Sequence, residues 1–180
     1  MSPFESAKIE LDSLVSIFFD QRASLGLFHE MSGSDIPEPQ KSLLDHESHM
    51  TVTVEKYHSA AVDVRVLRKN HQELTYAREI VLTRQTDQQV VQYGIVRLNL
   101  GYLSEQVREE IEGEKVPLGR VLIEHNVMRQ VKLLSLYEVQ PGPALLKTFG
   151  VAPETRCYGR TAMIFCNDQP AIELLEIVLA

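Results

Sequence analysis

The sequence predicts an α+β domain built on an antiparallel sheet. Two observations predict that class. Segments alternating at a period of two, ended by short turn signals, come as two groups of three. Each group follows apolar residues at helical spacing. The chain's 180 residues suffice for one domain, 1–180, with a substantial core.

Phe4 to about Phe19 reads as a helix, with Leu11, Leu14, Val15, Phe18 and Phe19 at helical spacing. Gly26 and Ser32–Pro39 read as loop. Residues 1–40 are therefore expected to form a helical extension ahead of the rest. A second helix is expected from about Pro39, through Leu43 and Leu44, towards Met50, while Thr51–Tyr57 fits a short strand or a helix end. Ala61–Arg68, Leu74–Thr83 and Val90–Leu98 read as an antiparallel meander with turns at Lys69–Gln72 and Arg84–Gln89. Gly101–Glu112 is expected to be a charged helix with a Leu103, Val107, Ile111 stripe, and Pro117–Glu124 a short one that His125-Asn126 ends. Val131–Gln140 is the next strand, a helical turn fits Ala144–Phe149, and Arg156–Asn167 with Ala171–Leu179 form the last hairpin. No internal repeat or low-complexity tract is visible.

A net charge of −7 and a pI of about 5.4 argue against a nucleic-acid or anionic-membrane surface. No apolar run reaches the roughly 18–20 residues of a membrane span, and Met1–Ser6 lacks the features of a secretory signal. Cys157 and Cys166 fall nine residues apart on one expected strand, about 30 Å at ~3.3 Å per residue. They cannot pair within it, so free thiols and a cytoplasmic location are expected. His46 and His49 lie one helical turn apart, but no third ligand at suitable spacing makes a metal site, and solvated or capping roles are expected.

Three stretches carry chemistry. In Val116-Pro-Leu-Gly-Arg-Val-Leu122, Pro117 fixes its φ, Gly119 permits close approach, and a helix start offers unsatisfied amides to a carboxylate. Arg78 is the one charge on the Tyr76, Arg78, Ile80, Leu82 face; such a guanidinium needs an internal carboxylate, solvent, or an anionic ligand gripped by its fork. On the last strand Glu176 shares a face with Ile172, Leu174 and Val178, while Glu173 lies on the other, and parity does not choose between the two acids. An indoor acid suits proton handling, a substrate hydroxyl, or pairing with Arg78 or Arg160.

The ordered set Tyr76-Ala-Arg78-Glu79-Ile-Val-Leu, Tyr93-Gly94, Val116-Pro-Leu-Gly-Arg120-Val-Leu, Tyr158-Gly-Arg160 and Leu174-Leu-Glu176-Ile-Val-Leu resembles chorismate lyase, over roughly residues 43–179. The resemblance implies a six-stranded antiparallel sheet flanked by helices, with an internal cavity capped by two helix-turn-helix flaps. It implies that Arg78 grips the ring carboxylate, Glu176 contacts the ring hydroxyl and Leu118 of Pro-Leu-Gly119 offers its amide. Met50 with Thr51, in Ser-His-Met-Thr, would border the ring, and Gly94 would lie near the cavity. The implied reaction releases 4-hydroxybenzoate and pyruvate from chorismate, for quinone or related aromatic biosynthesis, with no metal and no cofactor. Two departures stand out. Ile95 occupies a family arginine position, leaving Arg97 or Arg129 for the second carboxylate, and Pro141–Pro153 is longer and could reshape the cavity mouth.

Chorismate lyase acting on a small dianion is thus the leading expectation. The alternative is a non-catalytic sensor or binding domain for small aromatic acids, since effector domains of some transcription regulators share the fold class. About 40 acidic-to-neutral residues precede the expected fold, where those regulators carry a basic domain, so DNA binding is not expected.

Overall fold

The computed structural model describes Phe4 and residues 6–179. Part of the expected Phe4–Phe19 helix, the start of the 1–40 extension and most of Met1–Ser6 lie outside the described residues.

The elements run α1 (Leu11–Val15), β1 (Gly26–Met31), α2 (Gln40–Leu44), α3 (Met50–His58), β2 (Val62–His71), β3 (Thr75–Arg84), β4 (Val90–Asn99), α4 (Glu105–Glu112), α5 (Leu118–Glu124), β5 (Arg129–Pro141), α6 (Pro143–Phe149), β6 (Cys157–Cys166) and β7 (Gln169–Val178). Among the described residues one seven-stranded sheet forms in the order β1-β5-β6-β7-β4-β3-β2, each neighbour pair antiparallel. The α+β class holds, with seven strands rather than six.

The additional strand, β1, lies in the stretch read as extension and loop. It pairs with β5 at the sheet edge, Gly26 opposite Pro141. Its Leu27 is 50% exposed, so no apolar alternation marks it. The first helix is also shorter than expected. Ser16 Oγ bonds the Ser13 carbonyl at 3.1 Å, and the amides of Ile17 and Phe18 reach back three residues, to Leu14 and Val15. Serine competing for backbone acceptors in this way tightens and ends a helix. The expected Pro39–Met50 helix breaks at Asp45, and Thr51–Tyr57 is helical, within α3.

Helices cover both faces of the sheet, which is why β3 and β4 read as nearly continuous buried runs. On one face Leu14 of α1 and Leu145 of α6 pack with Val81, Tyr93, Ile95, Leu175 and Ile177. The Pro141–Pro153 segment therefore stacks on that face. On the opposite face two apolar clusters stand side by side. Leu44, Met50 and Val54 join Ile80 and Leu82 in one; Ile111, Leu118 and Leu122 join Val96, Ile164 and Leu174 in the other.

A two-fold pattern absent from the sequence as a repeat emerges here. α2 and α3 precede β2–β4, α4 and α5 precede β5–β7, and the two triplets join where β4 pairs with β7. Tyr76-Ala77-Arg78 and Tyr158-Gly159-Arg160 lie on the middle strand of each triplet.

Candidate ligand chamber

Between the sheet and the two helix pairs lies a chamber with a cavity volume of about 40 Å³. Its floor is the face bearing Arg78, Gln92, Gly94, Arg160 and Glu176. Alternation puts these on one face, since Arg78 lies opposite Val96, and Gly94 lies between Ile80 and Glu176. The roof comes from Ser48–Thr51 at the start of α3 and Pro117–Gly119 at the start of α5. The helix pairs touch there. A Cβ on Gly119 would stand 3.2 Å from His49 Cβ and 3.3 Å from Thr51 Oγ1, so a larger residue is accommodated only if the helices shift by a few tenths of an ångström. Arg120 of α5 also bridges to Glu55 of α3.

Seven of the eight expected site residues line this space: Arg78, Glu176, Met50, Thr51, Gly94, Leu118 and Gly119. Arg129 does not. Its Nε donates to His49 Nε2 at 2.7 Å and its Nη1 to the Val127 carbonyl at 2.9 Å, and it faces an open groove on the other side of His49. Arg97 points to the opposite sheet face, where it forms a two-pronged pair with Glu173. That pair also settles the parity question left open on the last strand: Glu173 belongs to the far face and Glu176 to the chamber.

Arg78 is 1% exposed. Its Nη1 donates to the Ile111 carbonyl at 3.1 Å, and its Nε has no partner among the described residues. No carboxylate lies in salt-bridge contact with it among those residues. Burial lowers its pKa from the ordinary guanidinium value, and nearby Tyr76 and Glu114 offset only part of that. Gln92, on the same floor, has a buried Oε1 without a partner among the described residues.

Arg160 is fully buried and fully engaged. Its Nε donates to Glu176 Oε2 at 2.7 Å. Its Nη1 reaches the carbonyls of His46 at 2.7 Å and Leu44 at 3.3 Å, and its Nη2 the Ser48 carbonyl at 3.0 Å. His46, expected to be solvated or capping, sets its Nε2 against the Leu43 carbonyl in the last turn of α2, a capping role, and takes the Ser48 amide on Nδ1. His49 is a chamber wall, and burial, with Arg129 and Arg160 nearby, lowers its pKa to about 4. Its ring is thus neutral near pH 7, with Nε2 accepting from Arg129.

Arg160, His49 and Gln92 were not among the expected ligand contacts. Parity alone would have added Gln92, which alternates with Gly94 and Val96. The surplus of two guanidinium groups over one carboxylate makes the chamber attractive to an anion. No group of three or more His, Cys, Asp or Glu among the described residues is placed to hold a metal ion. No described helix is long and apolar enough to cross a membrane. Cys157 and Cys166 are free and buried, away from the chamber lining.

No family model matches the chain, and no curated protein matches it. Solved structures do. PhnF from Mycobacterium smegmatis matches with a TM-score of 0.51 and 12% identity over 73% of this chain, which spans 63% of PhnF. The effector domain of PhnF from the same organism matches with a TM-score of 0.51 and 13% identity, over 73% of this chain and 87% of that domain. The ligand-binding domain of a putative GntR-family transcriptional regulator from Bordetella bronchiseptica matches at 0.48 and 16%, over 66% and 86%. At such identities the likeness is one of fold, and it is compatible with a chorismate-lyase-like architecture.

Proposed function

We propose that this chain binds a small ring carboxylic acid in the chamber, with the carboxylate on Arg78 and a ring hydroxyl on Glu176. The observation that carries the reading is Arg78: a buried guanidinium with an unpartnered Nε and no carboxylate in salt-bridge contact with it among the described residues. Such a charge is costly in an apolar wall unless an anion completes it. Apolar side chains such as Ile80, Leu82 and Leu174 suit the faces of a ring, and the amides that open α5 have no intrahelical acceptor.

Two uses of such a chamber are distinguished by turnover. Reversible binding, as in a sensor, is supported by the likeness in fold to the effector domain of PhnF. Elimination of enolpyruvate from chorismate is supported by the order and placement of Arg78, Leu118 and Glu176. That reaction gains ring aromaticity, so orientation and charge placement suffice without a nucleophile.

Titration with 4-hydroxybenzoate by calorimetry tests binding, and incubation with chorismate followed by pyruvate detection tests turnover. Saturable binding with no pyruvate above background selects the sensor. Pyruvate and 4-hydroxybenzoate in equal amounts select the lyase. Neither signal overturns both.

A further inference from the structure

We propose that Arg160 is a positioning residue that couples recognition of the ring hydroxyl to closure of the Asp45–His49 segment. This deepens the ligand reading above and rests on it only for the identity of the group that Glu176 meets.

The segment between α2 and α3 carries little regular structure, yet it leads directly into His49, Met50 and Thr51 of the roof. One guanidinium on the sheet gathers two of its carbonyls, those of His46 and Ser48, together with that of Leu44 at the end of α2. The same guanidinium holds Glu176 Oε2. The fork thus fixes the rotamer of the acid at the floor while fastening the roof above it. A carboxylate with one oxygen so held keeps its other oxygen for a donor on the ligand. A ligand hydroxyl that engages Glu176 is thereby tied, through one planar group, to the strap that closes over it. A lysine in this place would supply charge but not a fork that reaches the acid and the carbonyls in different directions.

The test compares wild type with Arg160→Lys, Arg160→Met, Glu176→Gln and the double variant Arg160→Met/Glu176→Gln. Affinities for 4-hydroxybenzoate and benzoate are measured by calorimetry, and amide hydrogen exchange over 44–50 by mass spectrometry. In wild type the hydroxylated acid binds better. Arg160→Met lowers affinity for 4-hydroxybenzoate by about 10–100-fold, the weight of a charge-assisted hydrogen bond, but that for benzoate by less than ~3-fold. Exchange over 44–50 rises at least ~10-fold while β3 and β4 stay protected. Arg160→Lys recovers part of the selectivity. In the Glu176→Gln background the Arg160→Met change costs less than ~3-fold in selectivity, because the two act as one unit.

Equal losses for both acids in Arg160→Met, or unchanged exchange over 44–50, overturn the proposal. If Arg160→Met does not fold, Arg160→Lys decides by the same two measurements. If wild type binds neither acid, the ligand reading has failed. Exchange over 44–50 in Arg160→Lys and Glu176→Gln then tests the coupling alone, and no rise in either overturns it.

Discussion

The two arginines at equivalent places in the two halves have opposite fates. Arg78 and Arg160 each occupy the middle strand of a three-strand group, each follows Tyr and a small residue, and each is buried. Arg160 is completed from within by Glu176 and three carbonyls, whereas Arg78 has one carbonyl and an unpartnered Nε. One half of the domain spends its guanidinium on holding the fold. The other leaves its guanidinium incompletely partnered, open to the ligand proposed above. On that proposal, burial of the same residue type marks structure in one place and a ligand site in the other, and only the partner inventory separates them.

The sharpest way to break this contrast is to remove each arginine in turn. Arg78→Ala should reduce affinity for 4-hydroxybenzoate, or any turnover of chorismate, by more than ~100-fold, since the anion loses the guanidinium whose Nε is open to it. Chemical unfolding should leave Arg78→Met as stable as wild type or more so, because an uncompensated buried charge disappears. A stability loss comparable to that of the Arg160 variant would show that Arg78 is a structural residue after all. Arg160→Met should cost about 3–5 kcal/mol in urea or guanidinium titrations, since Glu176 would remain indoors without its cation. A cost below ~1 kcal/mol would remove the distinction between the halves.

His49 sharpens the comparison on the roof side, where a pH dependence is expected. Its pKa falls from an ordinary 6.5 to about 4 on folding, so the unfolded chain binds the proton more readily. Stability from this group is complete above about pH 6.5, declines as pH falls through the window, and is gone below about pH 4. His46 shifts in the same direction, led by burial. After solvent screening His49 contributes on the order of 1–2 kcal/mol. His49→Asn should flatten the difference in unfolding free energy between pH 7.5 and pH 5, and a profile identical to wild type would contradict the assignment of His49 as a buried neutral ring.

Much of this contrast was legible in the sequence, and the remainder has physical reasons for being hidden. Arg78 and Glu176 stood out because each is a single charge on an otherwise apolar strand face, and strand parity is a hard geometric constraint. Arg160 was visible as a residue but not as a clamp, because its partners are backbone carbonyls, which carry no residue signature. Arg97 was excluded by the same alternation that faces Gln92 and Gly94 into the chamber, which sets it on the far face beside Glu173. Arg129 could be misplaced because a strand pattern says nothing about what covers each face, and His49 stands between it and the chamber. β1 escaped because an edge strand shows half its residues to solvent and loses its alternation. Where the expected Pro39–Met50 helix breaks, Arg160 holds the carbonyls of Leu44, His46 and Ser48, tertiary contacts that local propensity cannot show.

The smallest expected effect concerns the seam where the halves touch. In Gly119→Ala the new methyl would meet His49 Cβ at 3.2 Å and Thr51 Oγ1 at 3.3 Å. Those contacts are tighter than a relaxed interface tolerates, so α3 or α5 must shift by a few tenths of an ångström. Alanine gains up to ~1 kcal/mol over glycine within a helix, which offsets much of the crowding. Net stability should therefore change by less than ~1 kcal/mol. The roof, however, closes less tightly over the chamber, and stopped-flow displacement should show 4-hydroxybenzoate leaving a few-fold faster, about 2–5-fold for a loss of ~0.4–1 kcal/mol. Unchanged release together with a large stability loss would mean that the seam is a rigid part of the core, and that the ligand's path lies elsewhere in the walls.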